Sequence, residues 1–94
     1  PMAHSHADHH PNKKNVVNRL ARIIGHLKGI KTMVEDDVDC SEILIQLSAV
    51  RSALNNAGKI ILNDHINHCL IYAYENDDKE MIARLNDAIG KFLK

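Results

Sequence analysis

Residues 40–62 read CSEILIQLSAVRSALNNAGKIIL, and within them Cys40, Ile43, Leu47, Val50, Leu54, Ala57 and Ile61 recur at alternating intervals of three and four. That is the heptad signature of a helix that lays one seam against another helix at a shallow angle. Ile60, Leu62, Ile66 and Leu70 widen the apolar surface, and Gly58 is the only weak point before about Tyr74. The spacing predicts one helix of roughly 34 residues, about 50 Å long. A chain of 94 residues cannot cover such a helix alone, so self-association is expected.

Upstream, Val16, Leu20, Ile23, Ile24, Leu27, Ile30 and Val34 recur at three and four, which predicts an amphipathic helix over about 13–35. Gly25 and Gly29 weaken it slightly unless they let a neighbouring helix approach. The acidic stretch from Glu35 to Asp39 ends the pattern, and Asp39 followed by Glu42 has capping-box spacing that places Cys40 at the first helical position. Ser41 is a competing cap. Downstream, Asn76, Asp77 and Asp78 mark a turn, with Asp77 or Asp78 able to cap a third helix over about 79–93. Its apolar face is Met81, Ile82, Leu85, Ala88, Ile89, Phe92 and Leu93. No strand signal, internal repeat or nucleotide-binding glycine loop is present. The expected class is all-α, a single helical domain over residues 12–94 preceded by a His-rich tail, PMAHSHADHHP, at residues 1–11.

Composition agrees. Phe92, Tyr72 and Tyr74 are the only aromatic residues, so the core must be aliphatic, which suits packed helices better than a sheet. No run approaches the roughly 20 apolar residues of a membrane span and the first residues do not form a signal peptide, so a cytoplasmic protein is expected. The formal net charge is zero, yet the charge is segregated. Lys13, Lys14, Arg19, Arg22, Lys28 and Lys31 fall between Asn12 and Val34 with no acid among them, whereas Glu75, Asp77, Asp78 and Glu80 cluster near the end. A segregated basic face suits nucleic acid more than the net total suggests.

Two thiols and an imidazole, Cys40, His65 and Cys69, form a soft-metal donor set. His65 and Cys69 are four apart, so one helix face can present both to one ion. Cys40 lies 25 residues before His65, roughly 37 Å along a continuous helix, and would have to come from another chain. Two sulfurs and one nitrogen suit trigonal Cu(I) without a further ligand, whereas Zn(II) wants a fourth. His68, or the tail residues His4, His6, His9 and His10, can supply additional nitrogen, which brings Ni(II) and Co(II) into consideration. No nucleophile, base and oxyanion set can be assembled, so an enzyme is not expected.

The run NRLARIIGHLKGI, then a cysteine, then QLSAVRSALN, then a helical HINHC, resembles the copper-sensitive operon repressor (CsoR/RcnR) family, which includes nickel/cobalt, formaldehyde and sulfur sensors. The resemblance covers nearly the whole chain after the tail. It implies two long antiparallel helices and a short third, assembled as dimers and then a disc-like homotetramer. It also implies a repressor that binds double-stranded operator DNA when empty and releases it when the effector binds. By motif position, Cys40 of one subunit joins His65 and Cys69 of another. The family lays a basic face on the duplex, for which Lys13, Lys14, Arg19, Arg22, Arg51 and Lys59 are the matching candidates here.

Two positions depart from the copper-sensing pattern, which commonly carries a tyrosine before the first cysteine and a glutamate in the third helix. Here Asp39 and Arg84 stand there. The His-rich tail is similar to nickel-sensing members. The expected function is thus a metal-responsive repressor with Cu(I) first. A Ni(II) or Co(II) sensor using the tail, or a thiol-based persulfide or aldehyde sensor, are the alternatives.

Overall fold

The computed structural model describes residues 12–94, apart from the side chains of Asn67, Cys69 and Leu70. Every element in these residues is helical: α1 (Lys13–Glu35), α2 (Cys40–Asp64), a π-helix (His65–Leu70), α3 (Ile71–Glu75) and α4 (Lys79–Leu93). No helix among them is long and apolar enough to cross a membrane. Two compact units emerge, Lys14–Ala57 in one, and Gly58–Lys94 with Asn12 and Lys13 in the other.

In the first unit α1 and α2 form a hairpin around Ile23, Ile30 and Val50, which are buried, with Ile43 and Ala53 packed against them. A ring nitrogen of His26 meets Gln46 Oε1 at 2.7 Å across the pair. Burying three such side chains contributes roughly 1.5–3 kcal/mol each, against a backbone ordering cost of about 1–2 kcal/mol for every residue. The hairpin therefore has a thin core of its own. Val17, Leu20, Ile24, Leu27 and Val34 on α1 and Leu44, Leu47 and Leu54 on α2 stay exposed.

The turn between these helices follows from its residues. Val38 N–H donates to the Met33 carbonyl at 3.0 Å and Asp37 N–H to the Val34 carbonyl at 3.2 Å, with Asp37 in the left-handed region at φ 56°. This is the Schellman termination, with an aspartate where glycine is usual. Ser41 N–H then donates to Asp39 Oδ2 at 3.0 Å, and the Asp39 carbonyl accepts from Glu42 and Ile43. Asp39 is thus the cap and Cys40 the first helical residue, as the spacing predicts; Ser41 is not the cap.

The second unit repeats this turn. Asp78 N–H donates to the Ala73 carbonyl at 2.8 Å and Asp77 N–H to the Tyr74 carbonyl at 3.2 Å, with Asp77 at φ 53°. Asp78 Oδ1 then accepts from Met81 N–H at 3.0 Å and starts α4. At the far end of α4, Phe92 lies over Gly58 so closely that a Cβ there would overlap its ring.

One expectation needs correction. The apolar pattern predicts an unbroken helix from Cys40 to about Tyr74, whereas the α winding stops at Asp64 and six residues follow as π-helix before α3 resumes it. The backbone stays helical through both joints, with Asp64 at φ −62°, ψ −41° and Ile71 at φ −61°, ψ −45°. A wider winding over little more than one turn leaves almost no mark on the spacing of apolar residues, because three-and-four periodicity needs several turns to resolve.

Candidate metal centre and nucleic-acid interface

The seam of α2 divides into two rows, each with a seven-residue step. Val50 and Ala57 are 4 % and 1 % exposed, and the next step of their row, Asp64, is 3 % exposed. The other row runs Cys40, Leu47, Leu54, Ile61. Its apolar members are 41 %, 46 % and 39 % exposed, and Cys40 is a free, exposed thiol. One row packs within the chain; the row that carries Cys40 is left for something else.

His65 and Cys69 both belong to the π-helix, His65 as its first residue and half-buried. His68 lies in the same segment and is also half-buried. π segments inside α-helices concentrate at functional sites, since the unusual winding survives only where something is gained by it. Among the described residues no three His, Cys, Asp or Glu side chains of the single chain converge as a metal cage. The donor chemistry still fits a soft ion, with a thiol on the first residue of the 25-residue α2 and an imidazole on the residue that follows its last. His4, His6, His9 and His10 lie outside the described residues.

Of the six cationic candidates for DNA, Lys13, Lys14 and Arg22 on α1 and Arg51 and Lys59 on α2 are exposed, and Arg19 is half-buried with its Nε on Asn15 Oδ1 at 3.1 Å. Among the described residues none of the six is engaged in an ion pair. Lys31, Arg84 and Lys91 differ, each lying 3.0–3.1 Å from an acid one helical turn away. Unpaired cations keep their full attraction for phosphate, whereas paired ones have part of theirs neutralised.

The sequence model of the metal-sensitive transcriptional repressors matches residues 12–91. The chain belongs to this family. The family represses transcription and is not a family of enzymes. The metal-sensitive repressor is 43% identical over 83 residues to the copper-sensing transcriptional repressor CsoR of Bacillus subtilis, covering 87% of this chain and 82% of that protein. Among solved structures it is similar to the copper-sensing repressor CsoR with Cu(I) from Geobacillus thermodenitrificans, with TM-score 0.78, 40% identity, and 86% and 85% of the two chains covered. It is also similar to the nickel-responsive transcriptional regulator InrS, with TM-score 0.72, 40% identity, and 97% and 99% covered. The all-helical fold is that of these repressors.

At the two positions that depart from the copper-sensing pattern, the repressor uses its residues locally. Asp39 caps α2. Arg84 is exposed and pairs with Glu80 one turn before it, at 3.1 Å.

Two residues beside this candidate site were given no role in it by sequence reasoning. Asp64 is the one buried charged residue among those described, and Asn12 Nδ2 donates to its Oδ1 at 3.0 Å. A signal was available: continuing the alternation from Ala57 and Ile61 lands on Asp64 and then His68, and polar residues on an apolar seam ask for a reason.

Proposed function

We propose that the protein binds operator DNA in its metal-free form and releases it when Cu(I) is held by Cys40 of one subunit and His65 and Cys69 of another. The exposed row Cys40, Leu47, Leu54, Ile61 carries this reading. It presents a free thiol in line with apolar side chains that need a partner helix, so covering the row with a second copy brings Cys40 into an interface. A dimer, and a tetramer of two dimers, is the assembly that follows.

Each residue then has a task. Asp39 fixes the first turn of α2, so that Cys40 is offered from an ordered helix end. His65 supplies nitrogen from the π segment. Bound Cu(I) supplies a soft centre that joins thiolates and imidazole from separate subunits, and so links occupancy to quaternary arrangement. The cations of α1 and α2 neutralise phosphates and hold the duplex by counterion release. Turning a population that is about 99% DNA-competent into one that is about 1% so requires roughly 10⁴-fold tighter metal binding by the released form. An ion whose ligands come from two chains can supply such a difference, because any shift between the subunits changes its coordination.

A Ni(II) reading has its own support in the likeness to a nickel-responsive regulator over nearly all of both chains. In that case the tail histidines complete the ligand set. Metal titration followed by absorption decides between the two. Cu(I) gives near-ultraviolet thiolate charge-transfer bands without d–d transitions, and operator release at the same equivalence point. Visible d–d bands with Ni(II), lost on removing residues 1–10, would replace Cu(I) by Ni(II). Operator binding indifferent to either metal would sink both.

A further inference from the structure

We propose that Asn12 and Asp64 form a clasp that couples the metal-ligand segment to the DNA-binding start of α1, a proposal that rests on the repressor reading above. Asp64 is 3 % exposed and sits on the buried row of α2, where an aliphatic residue would pack at no electrostatic cost. Removing a carboxylate from water is costly unless its oxygens are hydrogen-bonded. A carboxylate kept there is therefore held for its hydrogen bonds, and one of them crosses 52 residues of sequence to Asn12. In that bond the Asn12 amide N–H₂ faces Asp64 Oδ1 and donates to it.

The positions of the two partners give the clasp its meaning. Asn12 directly precedes Lys13 and Lys14, the first two residues of α1 and two of the exposed cations offered to phosphate. Asp64 directly precedes His65, where α winding gives way to π winding. Along the chain, a change in the π segment as His65 and Cys69 take up an ion passes into α2 through Asp64. Asn12 also groups with Gly58–Lys94, whereas α1 from Lys14 onward groups with the first unit. The clasp therefore ties the point where α1 enters the basic face to the segment that binds metal. Asp64 and Asn12 are positioning residues; neither is assigned to the ion or to DNA.

The decisive quantity is the ratio of operator affinities of the full-length protein without and with Cu(I). Three variants are compared with the natural chain: Asn12→Ser, Asn12→Asp and the exchange Asn12→Asp with Asp64→Asn. Serine is as well suited as asparagine to a helix start but is too short to span to Asp64. Aspartate at position 12 sets two carboxylates against each other. The exchange restores a donor and acceptor pair in reverse while leaving the new negative charge beside Lys13. Metal-induced release, commonly 5–150-fold for an effector, is expected to shrink at least ~5-fold in both single variants at undiminished metal stoichiometry. It is expected to return in the exchange. A merely structural role would lower thermal stability and both affinities together and leave their ratio alone. Asn12→Ser with the natural ratio overturns the clasp, as does an exchange variant that folds but recovers nothing. If the natural protein itself fails to release operator with metal, the repressor reading fails first, and that result is distinct from either.

Discussion

At its first turn α2 is held by ordinary means, an aspartate cap and a Schellman turn, and Cys40 stands on that turn as a free, exposed thiol. At its other end the α winding gives way to π winding, the last α residue is a buried carboxylate, and the next is His65. The two ends of one helix thus carry opposite kinds of ligand support. Cys40 is offered from a geometry that short-range chemistry fixes, whereas His65 and Cys69 lie where α winding has passed into the rarer π winding. On the proposed function, this contrast makes Cys40 the fixed donor and the π segment the responsive end.

The largest effect should come from removing donors at either end. Cys40→Ala is expected to weaken Cu(I) binding by more than the ~10–100-fold typical of losing an outer-shell group, and to abolish metal-induced release while metal-free operator affinity is kept. His65→Ala should do the same to release. If the responsive end is His65, it should in addition change protection of amides 64–71 from hydrogen exchange, which Cys40→Ala should leave alone. Equal changes in both variants would erase the contrast between the ends.

This contrast also explains how far the sequence could be read. The start of α2 is encoded by Asp39 and by a dense three-and-four repeat, both short-range signals, and the boundary falls where they place it. The end of α1 and the start of α4 are legible for the same reason, through the acidic turns at 35–39 and 75–78. The π segment is not, because HINHCL satisfies an α pattern equally well over so few residues. Nor is the tie between Asn12 and Asp64, which depends on two side chains 52 residues apart and leaves only a polar residue on an apolar row. Residue type and spacing singled out the candidate donors; what surrounds them required the fold.

A middle-sized effect is expected at Gly58, near the responsive end. Adding a methyl group there displaces the Phe92 ring and with it the end of α4. Overpacking of this kind costs about 1–3 kcal/mol, against a gain of about 1 kcal/mol from replacing glycine within a helix. Gly58→Ala alone should therefore lower stability by roughly 1 kcal/mol in thermal or denaturant unfolding. In a Phe92→Ala background the same change should become stabilising by about 1 kcal/mol. The sign reversal is the check, because a double-mutant cycle isolates the contact from the propensity. No reversal would mean that Phe92 does not rest on Gly58.

At the fixed end, Asp39→Ala removes the side-chain acceptor of Ser41 N–H and should cost about 1 kcal/mol. If the first turn of α2 sets the position of Cys40, metal affinity should fall along with stability. Asp78→Ala provides the control, since it removes an equivalent cap from α4. It should cost a similar ~1 kcal/mol with metal affinity retained. An unchanged affinity in Asp39→Ala would show that Cys40 is fixed by the partner subunit and not by its own helix.

The smallest effect concerns the two turns that flank the long helical run. Asp37 and Asp77 occupy the same left-handed position in the same hydrogen-bonded turn, at φ 56° and 53°. A side chain there costs up to ~1 kcal/mol relative to glycine, somewhat less for aspartate because its short polar group tolerates the region. Glycine in turn loses more backbone entropy on folding. Asp37→Gly and Asp77→Gly should each change stability by no more than about 0.5 kcal/mol, towards gain. A substantial loss in only one of them would show that its carboxylate does something besides turn the chain. At Asp37, two residues before the cap that fixes Cys40, that would make the first turn of α2 depend on more than Asp39.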